Sequence, residues 1–258
     1  MLPNLEVPPL KIYGPLELHL FGLLVAAAIF LGYTLGGRRA TRMGLDRRTC
    51  EGGMLWAVVV GFAMAHWVSA VLYFPEKIAA DPLYLVRFWD GISSFGGFLG
   101  GLLGSWWYFR KKGVPFMPYA EAIFFGLVPA WVVGRLACTF AFDHPGLPTD
   151  FFLGMADKQG VVRHNLGLYE MLATLVFTGV LYALRDRRPF PGFHLALIMA
   201  LYAPVRFMWD SLRVADKTYL GLTPGQYLAI AMGLGALGWL AWGLTRKRSA
   251  AGATAPTP

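Results

Sequence analysis

Apolar residues occur in long, nearly unbroken stretches rather than in the short periodic patterns of a water-soluble fold. A helix needs about 20 largely apolar residues to cross a bilayer. Seven stretches approach that length, at 16–36, 52–74, 91–109, 119–140, 166–184, 193–212 and 224–245. The third and fifth are short, Pro129 interrupts the fourth, and Thr223-Pro224 reads as the start of the seventh. The pattern predicts an all-α integral membrane protein of about seven transmembrane helices, with one domain over 1–248. The longest connection, "AFDHPGLPTDFFLGMADKQGVVRHN" (141–165), is rich in Phe, His and Asp and is expected to form a head outside the bilayer. Loops of that length are often functional. The small, polar segment 249–258 reads as a disordered tail, and no internal repeat is present.

Charge adds an orientation. The segments after the first, third, fifth and seventh stretches ("GGRRATRMGLDRR", "RKK", "RDRR" and "RKR") hold 14 of the 23 basic residues. Basic loops stay in the cytoplasm, so the N-terminus is expected outside and the C-terminus inside. The 141–165 head then faces the extracytoplasmic side. The chain is 56% hydrophobic and 15% charged, whereas a soluble domain is about a quarter charged. The net charge of +8 lies in short clusters between apolar runs, as topology signals do, and no nucleic-acid-binding motif accompanies it. Cys50 and Cys138 imply no disulfide framework. The opening "MLPNLEVPPLK" has no basic leader region, so the first stretch is expected to stay as an uncleaved helix.

With this orientation the remaining polar residues segregate. His19, His66, Arg135, Cys138, Thr139, Asp143, His144, Arg163, His164, Tyr169, Glu170, Tyr202, Arg206, Asp210, Arg213 and Gln226 all fall toward the outer side, and only Glu121 and His194 depart from this. Ionisable groups at membrane depth are costly and mark function by default. Tyr202, Arg206, Asp210 and Arg213 follow one another at i, i+4, i+8 and i+11, along one helical face. A self-neutralising Arg206–Asp210–Arg213 network is one explanation. The other starts from surplus positive charge, to which Arg135 adds. Guanidinium groups bind phosphate bidentately, so an outward-facing cavity for a phospholipid headgroup is expected. Gly91, Gly96, Gly97, Gly100, Gly101 and Gly104 crowd the third stretch, either for close helix packing or to bring backbone amides to a ligand. The histidines lack ligand spacing such as an i, i+4 pair, so no metal and no cofactor is expected.

Along about 12–245 the chain resembles the bacterial prolipoprotein diacylglyceryl transferases. "GPLELHLFGLL" (14–24) is similar to that family's N-terminal stretch, with His19 and Gly22 in place. "GISSFGGFLGG" (91–101) resembles its Ser-Phe-His-Gly-Gly motif, and "GRLACTFAFDHPG" (134–146) follows its signature through Gly134, Arg135, Asp143 and Gly146. "RHNLGLYE" (163–170), "LYAPVRFMWDSLR" (201–213) and "TPGQYL" (223–228) resemble its later segments. The resemblance implies transfer of a diacylglyceryl group from phosphatidylglycerol to the lipobox cysteine thiol of a preprolipoprotein. A thioether forms and glycerol 1-phosphate leaves, in the bacterial inner membrane and among membrane lipids.

Arg206, Tyr202, His144 and His164 are the expected catalytic residues. Arg135, Arg206, Arg213, Asp143, Gly146, Gly96, Gly97, His19, Glu170 and Asp210 are expected to contact phospholipid or substrate. The chain also departs from the family pattern. Phe95 stands at the motif histidine, Cys138 and Ala141 at the signature asparagines, and Asp143 and Asp210 at glutamates. Since Phe95 cannot take a proton, His144, then His164, then His66 are the candidate bases, unless the arginine field alone favours the thiolate. The alternative is a relative that keeps the lipid site as a lipid-binding or lipid-moving membrane protein.

Overall fold

A computed structural model describes residues 2–3, 7–13, 16–88, 90–91, 93–214 and 218–253. Among these, seven helices of 18 residues or more follow the seven apolar stretches. They are α1 (Leu20–Arg42), α2 (Arg47–Tyr73), α4 (Ser94–Lys111), α5 (Phe116–Ala141), α6 (Leu166–Ala183), α7 (Phe193–Asp210) and α8 (Pro224–Ala253). A short α3 (Pro75–Ala80) and a 3₁₀ turn (Pro82–Val86) lie between α2 and α4. Five of the long helices, α1, α2, α5, α6 and α8, are apolar and long enough to cross a membrane. The protein is an all-α, multi-pass membrane protein. α8 continues to Ala253, into the segment whose composition reads as a disordered tail, and 254–258 lie outside the described residues. So do Gly14 and Pro15 of the N-terminal motif, Ile92 of the glycine-rich motif, and the side chain of Phe95.

Helix starts carry the expected caps. The Asp46 carboxylate accepts from Thr49 N at 2.7 Å at the start of α2, and Asn165 Oδ1 accepts from Leu168 N at 3.1 Å at the start of α6. Thr223 and Gln226 close a reciprocal capping box on α8. The Gln226 amide donates to Thr223 Oγ1 at 3.1 Å, and the Thr223 amide donates to Gln226 Oε1 at 3.0 Å.

The chain divides into two compact units, Leu35–Ile123 and a second made of Met1–Thr34 with Phe124–Pro258. In Leu35–Ile123, α2 and α4 meet along glycines. A Cβ at Gly96, Gly100 or Gly104 would come closer than 3.0 Å to the carbonyl oxygen of Met64, Val60 or Trp56 respectively. The i, i+4, i+8 stripe therefore brings two backbones together, as small residues do between helices in lipid. Gly97 lies off this line, with Ala65 Cβ at 3.7 Å as the nearest atom. The buried His66 ring places Nδ1 at 3.1 Å from Gly91 O and Nε2 at 2.9 Å from Tyr84 O, which ties the α2–α4 connection to α2.

In the other unit, Phe125 and Val128 of α5, Phe177 and Leu181 of α6 and Ile198 of α7 share one core, and α7 packs along α8. The 141–165 head contains strands that the apolar pattern does not announce: β3 (Pro145–Pro148), β4 (Met155–Ala156) and β5 (Val162–Asn165), in the antiparallel order β3-β5-β4. An earlier hairpin pairs β1 (Leu10–Tyr13) with β2 (Leu16–Leu18). Asp157 closes the turn between β4 and β5, accepting from Arg163 Nε at 2.8 Å and from the amides of Gln159 and Val161. The Arg163 hydrogen bond, ahead of the amide bonds, holds the Asp157 carboxyl below the usual carboxylate range.

The glycine seam separates packing from ligand binding as reasons for these residues. Gly100→Val should lower the thermal unfolding midpoint in detergent, a loss of about 1–3 kcal/mol from overpacking against backbone. Gly97→Ala should leave the midpoint within a degree or so, because its Cβ meets ordinary space.

Candidate functional site

Four helix ends beside the head converge on two buried carboxylates. Glu170, on the first turns of α6, is 3% exposed, and Asp210, the last residue of α7, is 2% exposed. A buried charge is stable only when it is paired and hydrogen-bonded. Arg135, near the end of α5, forms an ion pair through Nε with Glu170 Oε2. Arg206 of α7 donates from Nη1 to Glu170 Oε1 at 2.8 Å and from Nη2 to Asp210 Oδ1 at 3.0 Å. Tyr202, one turn earlier, donates its hydroxyl to Glu170 Oε1 at 3.2 Å. Arg213 Nη1 lies 3.6 Å from Asp210 Oδ1. The second Asp210 oxygen accepts from the Thr223 hydroxyl, and Gly225 leaves room for this carboxylate at the start of α8.

The expected helical face holds for Tyr202, Arg206 and Asp210, and Arg135 and Glu170 join it, whereas Arg213 lies three residues beyond the end of α7 and reaches Asp210 from there. Glu170 changes the charge count. The local Arg206–Asp210–Arg213 network does form, but it is not self-contained. Among the described residues, Glu170 and Asp210 offer two carboxylates to Arg135, Arg206 and Arg213, where the sequence alone counts one. The partly exposed guanidinium groups of Arg135 and Arg206 suit an anion, and phosphate matches their planar donors.

Next to this cluster the chain reverses. Cys138 sits in the last turn of α5, with Arg135 Nη1 at 3.7 Å from its sulfur. Phe142 takes the left-handed conformation at φ 49°, and Asp143 and His144 fold back toward the helix end. His144 Nδ1 lies 2.6 Å from Asp143 Oδ1, and donor atoms of Cys138, Asp143 and His144 all lie within 4.8 Å of one another. The spacing of the histidines gives no sign of this cluster, because its other two members are a cysteine and an aspartate. The Asp143 hydrogen bond, and then that of Cys138, push the His144 imidazole up to about 9. The ring thus carries its proton at neutral pH and donates rather than accepts.

The other singled-out residues lie elsewhere or act as supports. His164 Nδ1 is 2.8 Å from the Tyr169 hydroxyl, and burial lowers its pKa, so it stays neutral in a polar corner under the head. Gly146 is squeezed between strands and helix. A Cβ there would lie 2.8 Å from His164 Cβ and 3.0 Å from Leu212 O, and the adjacent Leu147 amide donates to Leu212 O at 2.8 Å. This contact fastens the head to the end of α7, where Gly146 also bridges to Arg213. His19 is exposed, with its Nε2 at 3.9 Å from Glu17. Gly96 belongs to the α2–α4 seam, Gly97 lies beside it, and both ring nitrogens of His66 meet main-chain carbonyls.

Sequence reasoning passed over four supports. Asn165 Nδ2 donates to Thr139 O at 3.0 Å and joins the end of α5 to the start of α6. Gly167 lets those two ends touch, since a Cβ would lie 2.9 Å from Thr139 N. Thr223 and Gly225 hold the Asp210 carboxylate. The Asn and Thr caps were the available signal for two of them.

Residues 9–242 match the sequence profile of the prolipoprotein diacylglyceryl transferases. The chain is 30% identical to the phosphatidylglycerol–prolipoprotein diacylglyceryl transferase of Chromohalobacter salexigens, over 94% of each chain. It is 31% identical to the protein of that name from Azotobacter vinelandii, over 96% of this chain and 98% of the relative. The Vibrio vulnificus protein is also 31% identical, over 95% of this chain and 93% of the relative.

Removing the central carboxylate tests the cluster directly. Glu170→Gln leaves Arg135 and Arg206 facing each other without their shared counter-charge and should cost about 3–5 kcal/mol of stability, the usual effect of breaking a buried pair. Thermal unfolding in detergent should show the drop. Added inorganic phosphate should recover more of it in the variant than it adds to the unaltered protein.

Proposed function

The chain belongs to the prolipoprotein diacylglyceryl transferase family, and we propose that it moves the diacylglyceryl group of phosphatidylglycerol onto the lipobox cysteine of preprolipoproteins at the Arg135–Glu170–Arg206 cluster. The observation that carries this reading is the pair of guanidinium groups fixed by one buried carboxylate.

The chemistry needs such a pair. The lipobox sulfur attacks the glyceryl carbon that bears the phosphate. The new S–C bond replaces the C–O bond, whose electrons leave with glycerol 1-phosphate. The thiol loses its proton, and a phosphodiester with one negative charge becomes a monoester with two. The added charge develops on the phosphate. Donors already aimed at that point favour the transition state over the ground state. Arg135 and Arg206 are these donors. Glu170 sets the distance between them, Tyr202 steadies Glu170, and Asp210 with Arg213 holds the far side of Arg206. The lipobox peptide enters past the head, beside a cleft of roughly 350 Å³ lined by Phe142, Asp157, Lys158, Arg163 and Val214. The Cys138–Asp143–His144 corner receives the thiol.

This reading includes the inner membrane, with the N-terminus and head outside and the C-terminus in the cytoplasm. The placement of basic loops supports it. Single cysteines introduced at 38–48 and 185–188 should be shielded from an impermeant thiol reagent in intact cells. Labelling of either loop from outside would overturn the placement.

Arg135→Ala and Arg206→Ala should each reduce lipid transfer by at least a hundredfold while the protein still inserts. Arg→Lys at either position should also fail to restore full activity, because a point charge does not reproduce a planar fork. The measurement is thioether formation on a lipobox peptide with phosphatidylglycerol vesicles. Normal transfer by both alanine variants would make the cluster a structural network only.

A further inference from the structure

The arginine cluster handles the leaving phosphate, but it does not account for the proton of the incoming thiol. A free thiol is only slightly ionised at neutral pH. Arg135 Nη1 lies 3.7 Å from the Cys138 sulfur, and Cys138, Asp143 and His144 together offer one sulfur, one carboxylate oxygen and one imidazole nitrogen. That mixed set is a zinc donor set. Zinc sites that act on a substrate take three protein ligands and leave a fourth position open.

The geometry is close to what such a site requires. Ligand atoms around a tetrahedral zinc lie about 3.3–3.8 Å apart, given metal–ligand distances of about 2.0–2.3 Å. The three donor atoms here lie within 4.8 Å of one another. The sulfur needs to draw in by about an ångström, and the 2.6 Å contact between Asp143 and His144 needs to open slightly. Asp143 and His144 are about one-third exposed, 35% and 29%, and Cys138 is half-buried, so these side chains have room to rotate. The backbone beneath them is held. Asn165 and Gly167 fix the end of α5, and the left-handed Phe142 turns the next two residues over it. Charge is also compatible. On binding the ion, the Cys138 thiol and the His144 imidazolium each release a proton to solvent, and the thiolate and the carboxylate neutralise the ion, so it does not repel Arg135 or compete for the phosphate.

We propose that Cys138, Asp143 and His144 form a zinc site whose fourth position takes the lipobox cysteine as its thiolate. The identity of that fourth ligand rests on the transferase reading, whereas the three protein ligands do not. A thiol bound to zinc loses its proton outright, to solvent. The thiolate then forms its S–C bond as the phosphate departs toward Arg135 and Arg206. The thioether product is a poorer zinc ligand than the thiolate, so alkylation also frees the product. No electron transfer is involved.

The test uses the full chain in detergent, purified with a tag that contains no histidine. Elemental analysis after zinc supplementation and dialysis should give about one zinc per chain. Cobalt in its place should give the near-ultraviolet thiolate charge-transfer band and the strong visible absorption of tetrahedral cobalt. Cys138→Ser, Asp143→Asn and His144→Ala should each weaken zinc binding at least tenfold, and Cys138→Ser should abolish the charge-transfer band. Thermal unfolding identifies variants that have simply misfolded, and chelation of the unaltered protein provides the same comparison with no substitution. Absence of zinc from folded wild-type protein, or a cobalt spectrum without a thiolate band, overturns the site. Full transfer by chelated, zinc-free protein overturns the role in thiol activation and leaves the proposed function standing. Zinc binding as described, without transfer from phosphatidylglycerol, upholds the three-ligand site and removes the transferase reading instead.

Discussion

One carboxylate between two guanidinium groups organises this protein. Arg135 and Arg206 come from different helices and would repel each other across a few ångströms of low-dielectric interior. Glu170, from a third helix, removes that repulsion and fixes their spacing through both of its oxygens. The requirement explains why the polar ends of α5, α6 and α7 come together beside the head. Asp210 extends the same logic to α8, since its second oxygen meets the Thr223 hydroxyl that also caps that helix. The helix start and the ion-pair cluster thus share an atom, and the polar chain runs from one end of the unit's helices to the next without an unpaired carboxylate.

The head completes the arrangement. Its strands do not pack a core of their own size. They fold down between the ends of α5 and α7 and are fastened there by Gly146 and the Leu147–Leu212 hydrogen bond. The same segment carries Asp143 and His144 to Cys138. In the proposed reaction, phosphate chemistry and thiol chemistry fall to adjacent but separate groups, one set on helices and the other at a chain reversal.

The long helices were legible because hydrocarbon solvent leaves few alternatives for twenty apolar residues. The face of Tyr202, Arg206 and Asp210 was legible for a related reason, because helical spacing alone puts them in line, whereas Arg213 lies past the helix end. Glu170 could be named, but not its double contact, since pairing across 35 or more residues is a tertiary fact. The strands of the head were missed because β3 is a run of Pro-Gly-Leu-Pro, β4 has two residues, and their pairing depends on what lies beneath them. Asp143 and His144 could be named, but not their approach to Cys138, for a local reason. Asp143 and His144 reach it only through a left-handed Phe142, a conformation that no side-chain preference for that residue announces.

The glycine stripe of α4 has a consequence for traffic in the bilayer. Where side chains interdigitate, two helices can part by rotamer changes and admit an acyl chain. Along Gly96, Gly100 and Gly104, α4 contributes no side chain, and its backbone lies on the α2 backbone and on the first side-chain atoms of Val68, Met64 and Val60. Opening that line would mean moving whole helices apart and losing their contact at every turn. The α2–α4 seam is therefore a closed wall to lipid, and a two-tailed molecule that enters or leaves sideways must do so through some other gap between helices.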